Sequence, residues 1–172
     1  MKGVFGKFAG GKRELDEQEQ AVLDNVRDHG CQSQFVFDPD GKEPDFAYSI
    51  GFPVSVGQPE VIVYGLRRDL MHFMVNEMRR QCAGGLVLGE GVVVSGLLEG
   101  FDCVLRHVTD PVAIKEHLGW AIWYHRSQHG NAVKEAYQIV WPGAQQGLFP
   151  WDNGCDDYVI SQQPALYQTS IH

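Results

Sequence analysis

No run in this 172-residue chain approaches the roughly 18 consecutive apolar residues of a membrane span. The stretch from Met1 to Gly11 alternates glycine with Val4, Phe5 and Phe8, and lacks the continuous apolar core of a secretory signal. The cytoplasm is therefore the expected compartment. Cys31, Cys82, Cys103 and Cys155 lie far apart, and no Cys-x-x-Cys pair suggests a zinc ribbon or redox turn, so reduced thiols are expected. Positive charge is scarce. With 14 Lys+Arg against 22 Asp+Glu the net charge is −8, which repels a phosphate backbone unless the basic residues gather on one face. The basic pairs Lys12-Arg13, Arg67-Arg68 and Arg79-Arg80 are dispersed, and no nucleic-acid partner is expected.

Signatures of common chemistry are also missing. The glycine-rich Gly84 to Gly91 lacks the Lys-Ser/Thr that grips a nucleotide phosphate, and no serine sits in a Gly-x-Ser-x-Gly elbow. His125 and His129 stand four apart, but Gly130-Asn131 ends any helix there and no third ligand is in sequence reach. Asp152, Asp156 and Asp157 do not follow the spacing of a calcium loop. No metal and no cofactor are expected. Cys103, beside Asp102 in an expected strand, points to the opposite face from that acid and reads as a buried, inert thiol.

What is present is enough apolar material, 44% of residues, for one core. Leu15, Val22, Leu23 and Val26 fall at helical spacing before Gly30; Leu70, Met71, Met74 and Met78 do so after Asp69; a third helix is expected from Pro111 to about Arg126, weakened at Gly119. Strands are expected at 34–37, 45–52, 60–66, 102–108 and 136–141, with a hairpin of Leu86-Val87-Leu88 and Val92-Val93-Val94 around Gly89-Glu90-Gly91. Helices and strands do not alternate regularly. The expected fold is therefore α+β, a single domain with a mostly antiparallel sheet and about three helices packed against it. Residues 1–13 are expected to form a flexible leader, 14–155 the domain, and 156–172 an irregular C-terminal arm.

Phe46-Ala47-Tyr48-Ser49-Ile50-Gly51, then Gly57-Gln58-Pro59-Glu60 and Val61-Ile62-Val63-Tyr64-Gly65-Leu66, resemble the bacterial family catalogued as domain of unknown function 4262. Leu97-Leu98-Glu99-Gly100, Tyr124, Gln138-Ile139-Val140-Trp141-Pro142 and Gly147-Leu148-Phe149-Pro150-Trp151-Asp152 are similar to that family's later blocks, in the same order. One departure is Gln58, where His is commoner in the family. The resemblance implies a domain boundary and no activity.

Of the residues in these blocks, Tyr48, Ser49, Glu60, Tyr124, Gln138, Trp141 and Trp151 carry aromatic or polar groups suited to a ligand site, and Glu60 and Asp152 are the candidates for catalytic acid or base. Tyr48, Glu60, Trp141 and Trp151 are expected to converge, with Tyr48 chosen over Ser49 as the neighbour of Glu60. Three functions follow. The first is a module binding a small molecule or a protein partner, with self-association left open. The second is a hydrolase-like enzyme using a carboxylate as general acid or base. The third is an acidic interaction or immunity-type protein that neutralises a basic partner.

Overall fold

The computed structural model describes residues 13–169, so the expected leader lies outside the described residues except for Arg13. Six strands form one sheet in the order β1-β2-β3-β6-β5-β4: β1 (Gln32–Val36), β2 (Phe46–Ile50), β3 (Glu60–Tyr64), β4 (Val93–Leu98), β5 (Phe101–Val108) and β6 (Ala136–Val140). Every neighbouring pair is antiparallel except β3 with β6, so the domain is α+β with a mostly antiparallel sheet. β3 and β6 are buried along their whole lengths at the centre of the sheet, as the Val61-Ile62-Val63-Tyr64 run of β3 and the Ile139-Val140 end of β6 favour.

Side-chain alternation gives the sheet two covered faces. Ala47, Val61, Val63, Leu105 and Ile139 point to α3 (Arg68–Ala83), whose Met71, Met74, Val75 and Met78 stripe fills that side. Tyr48, Ile50, Ile62, Tyr64 and Val108 point the other way, toward α1 (Glu17–His29), α4 (Pro111–His117) and α5 (Gly119–His129). α1 starts with a reciprocal cap, Asp16 taking the Glu19 N–H and the Glu19 side chain taking the Asp16 N–H, and stops at Gly30 in the left-handed region. Two single-turn or short helices, α2 (Phe52–Ser55) and α6 (Asp157–Gln162), complete the fold.

Three expectations are refined. Among the described residues there are six helices, because the helix expected from Pro111 breaks at Leu118 ahead of Gly119, and the short α2 and α6, too short to show a period, join the expected ones. The expected hairpin around Gly89-Glu90-Gly91 is not formed. Instead β4 pairs with β5 through the two-residue turn Glu99-Gly100, with Leu98 opposite Phe101 and Gly100 at φ 82°, which places the glycine where positive φ is needed. The tail is not irregular throughout: α6 is capped by Asp156, and Val159 packs into the α3-side core.

Beyond α6 the tail is bolted to β6. Gln163 and the Trp141 backbone exchange two hydrogen bonds of 3.0 and 2.8 Å, and the Gln138 carboxamide donates to Pro164 O at 2.9 Å and accepts from Leu166 N at 3.0 Å. Leu166 packs with the opposite core, so the tail crosses from one face to the other at the carboxyl ends of β3 and β6. Gly65, one residue past β3, makes that crossing possible: its φ is +77°, and a Cβ there would lie 2.5 Å from Gln162 O. Gly65→Ala is therefore expected to destabilise the protein by about 1–3 kcal/mol, from backbone strain plus displacement of the tail. Urea unfolding measures this against Gly147→Ala, which has φ +70° but nothing within 4 Å of its Cβ. Equal losses would mean that the tail is not seated on Gly65.

Candidate functional site

Glu60 opens β3 directly after Pro59, yet its carboxylate does not reach solvent and is 1% exposed. It turns inward under the end of β2, where four donors meet it. Oε1 accepts from Ser49 Oγ at 2.7 Å and Phe52 N at 3.1 Å; Oε2 accepts from Gly51 N at 2.8 Å and His125 Nε2 at 2.6 Å. A carboxylate has about four lone-pair sites, so this one is full. Such saturation is what lets a charge persist in a core, because an unpaired buried carboxylate would cost several kcal/mol.

Each donor is placed by local chain geometry. Ser49 is held in β2 and its hydroxyl is used twice, donating to Glu60 while accepting Val61 N at 2.9 Å. The Gly51 and Phe52 amides are released from the ladder because the chain turns at Gly51 into α2, with Gly51 at φ 114°. A Cβ at Gly51 would lie 2.9 Å from Val26 Cγ1, so glycine is required there both for its backbone angle and for its contact with α1. His125 comes from α5, one residue before its last turn, and its side chain is 3% exposed.

The histidine makes the arrangement directional. Glu60 as a carboxylate can only accept, so Nε2 carries the proton it shares with Oε2. Among the described residues Nδ1 has no partner. It is not sealed away either, since no nitrogen of His125 is both inaccessible and unbonded. Both Glu60 and His125 line a cleft of about 550 Å³ whose rim includes Gln58, Asn131, Lys134 and Glu135. The Gln58 carboxamide oxygen accepts Leu88 N at 3.1 Å, which fixes one wall. Tyr124 packs edge-on against His125 with centroids 5.0 Å apart, and burial, followed by the Glu60 charge, raises its phenol pKa above the ordinary value.

The remaining sequence candidates do not gather here. Ser49, rather than Tyr48, is the neighbour bonded to Glu60: Tyr48 spends its hydroxyl accepting Trp120 N at 2.9 Å within the core, and burial pushes its phenol pKa well up. The two side chains do point to opposite faces, but the longer reach of the phenol, which favours Tyr48 in the sequence, is spent on the Trp120 amide. Trp141 follows the last residue of β6, and β3 runs parallel to β6 with Glu60 opposite Ala136, so Trp141 and Glu60 stand at opposite ends of neighbouring strands. The Trp141 indole donates to Tyr64 O at 2.8 Å as a buried strut, and Gln138 clamps the tail. Trp151 lies half-exposed with Arg106 stacked 4.5 Å above it and Tyr167 on the guanidinium's other contact at 4.2 Å. Asp152 Oδ2 accepts Phe149 N at 2.8 Å and so holds a turn.

His125 is the residue that sequence reasoning weighed only as half of a metal pair with His129. Its signal was the long-range complement to Glu60, which one sequence cannot display. Among the described residues no group of three or more His, Cys, Asp or Glu is placed to hold a metal ion. Glu60→Gln replaces one acceptor oxygen by a donor facing two donors, and is expected to cost about 2–4 kcal/mol, with Ser49→Ala costing about 1–3 kcal/mol. At about 2–4 °C per kcal/mol for a chain of this size, melting by circular dichroism resolves both. A Glu60→Gln melting point equal to that of the parent would contradict the bonded arrangement.

No curated protein and no solved structure matches the chain, and among the described residues no helix is long and apolar enough to cross a membrane. A sequence profile for a domain of unknown function (DUF4262) matches residues 25–156, a span that holds every donor to the Glu60 carboxylate, and the chain belongs to that family.

Proposed function

We propose that the domain binds a small molecule in the cleft at the Glu60–His125 end of the sheet, with His125 Nδ1 as the acceptor that orients it. One observation carries this reading: a carboxylate with no remaining lone pair grips one nitrogen of a histidine that itself lines the cleft. A buried group so completely satisfied is an anchor, and what it holds is a histidine at the edge of the cleft. The ligand complementary to this wall carries a hydrogen-bond donor toward Nδ1 and a polar or anionic group for Lys134 and Asn131 on the rim. The net charge of −8 and the absence of a spanning helix among the described residues support a ligand met in an aqueous compartment, for which the cytoplasm is our reading. We infer no nucleic-acid or membrane partner from the same charge.

A second reading is catalytic, and the same geometry favours it. A histidine oriented by a carboxylate through one nitrogen is arranged to take a proton at the other, from water or from a bound substrate. In that reading His125 is the base and Glu60 the positioning residue. Glu60 has no lone pair left for proton transfer, and Asp152 is engaged in its turn.

A thermal-shift screen over metabolites, nucleotides, flavins and divalent cations tests the binding reading, because a ligand that prefers the folded state raises the midpoint with its concentration. A hit is expected to lose at least tenfold in affinity in His125→Ala and several-fold in Lys134→Ala, an exposed position that leaves the core intact. Hits unaffected by both substitutions would place the ligand elsewhere.

A further inference from the structure

A second cleft, of about 650 Å³, opens where edge strand β1 lies between α1 and α3. Its lining is polar, with Asn25, Gln32, Gln34 and Asn76 among its residues. At its centre Ser33 Oγ stands 2.5 Å from His72 Nδ1. Among the described residues the hydroxyl has no other hydrogen-bond partner, and with the imidazole proton on Nε2 its own proton is directed at Nδ1. From the first residue of α3, Arg68 adds a cation to the cleft lining, its guanidinium 4.7 Å above the Phe35 ring.

We infer that Ser33 is an activated nucleophile that accepts an acyl group from a small activated ester, with His72 as its general base. A serine hydroxyl is a weak nucleophile alone and becomes a competent one when a neutral imidazole takes its proton as it attacks. In the step, Ser33 Oγ forms a bond to the ester carbonyl carbon while its proton passes to His72 Nδ1. Collapse of the tetrahedral adduct breaks the bond to the leaving alcohol, whose oxygen takes that proton, so the acyl group stays on Ser33 and the imidazole is neutral again. Water repeats the sequence and releases the acid. Arg68 offers guanidinium N–H groups to the charge that develops on the carbonyl oxygen.

The surroundings suit this role. Burial, then the Arg68 charge, holds the His72 pKa below that of an ordinary histidine, which keeps the ring neutral at neutral pH. The cleft's other potential nucleophile, Cys31, is pushed up to about 12 by burial, donates its thiol to Asn76 Oδ1 and stays protonated. Asn76 also donates to His72 O at 2.9 Å, which fixes the turn of α3 that carries the base. None of these residues belongs to the Glu60 site, and the inference stands whether or not that site binds a ligand.

The test is covalent labelling of the full chain with an alkyl fluorophosphonate, in which Ser33 Oγ displaces fluoride, followed by peptide mapping by mass spectrometry. Labelling is expected to concentrate on Ser33 over the exposed Ser55, Ser95, Ser127 and Ser161, and to slow by at least about a hundredfold in His72→Gln. With p-nitrophenyl acetate the parent is expected to release a burst of one nitrophenolate per chain, and Ser33→Ala none. An adduct spread evenly over the serines, or an unchanged Ser33 rate in a folded His72→Gln, overturns the inference. Should His72→Gln fail to fold, the parent's labelling map and the Ser33→Ala burst decide the matter by themselves.

Discussion

The closed hydrogen-bond shell around Glu60 is the constraint to which the sheet end is built. Ser49 from β2, the Gly51 and Phe52 amides from the turn into α2, and His125 from α5 all converge on two oxygens. Two layers of the fold are tied at one point: α1 closes on Gly51 through Val26, β2 and β3 share Ser49, and α5 is pinned through His125. A charge in such a place is stable only while every partner is present, so the geometry of each element is set by the others. The cleft beside it inherits that rigidity, which is what a recognition site needs of its supporting groups.

The opposite end of the same central strands is closed by different means. There the tail crosses between the faces over Gly65, and neutral amides, Gln138 and Gln163, do the fastening with backbone groups. Arg106, paired with Glu90 at 2.8 Å and lying against the rings of both Trp151 and Tyr167, seals the flank. One end is thus sealed by its own chain, and the other ends in a histidine with a nitrogen to spare.

Much of the fold was legible because it rests on local patterns. The Met71, Met74 and Met78 stripe marked α3, the β-branched run Val61-Ile62-Val63 marked a strand buried on both faces, and irregular ordering marked α+β. The failures were of two physical kinds. Leu97-Leu98 and Phe101 pair across a two-residue turn that the louder glycine cluster at 84–91 obscured, and α2 and α6 are too short to carry a period. Within the site, Glu60 and Ser49 stood out as polar residues next to apolar strands, but the partner His125 lies 65 positions away and only the fold joins them. Trp141, Trp151 and Gln138 stood out equally and prove to hold the tail and its flank.

The central claim is that Glu60 fixes His125 with its proton on Nε2 and leaves Nδ1 for the cleft. Long-range proton–nitrogen correlation spectroscopy of the imidazole reads this directly. The account predicts an Nε2 that stays protonated across the folded pH range and loses that preference in Glu60→Gln; a neutral ring protonated on Nδ1 instead would contradict it.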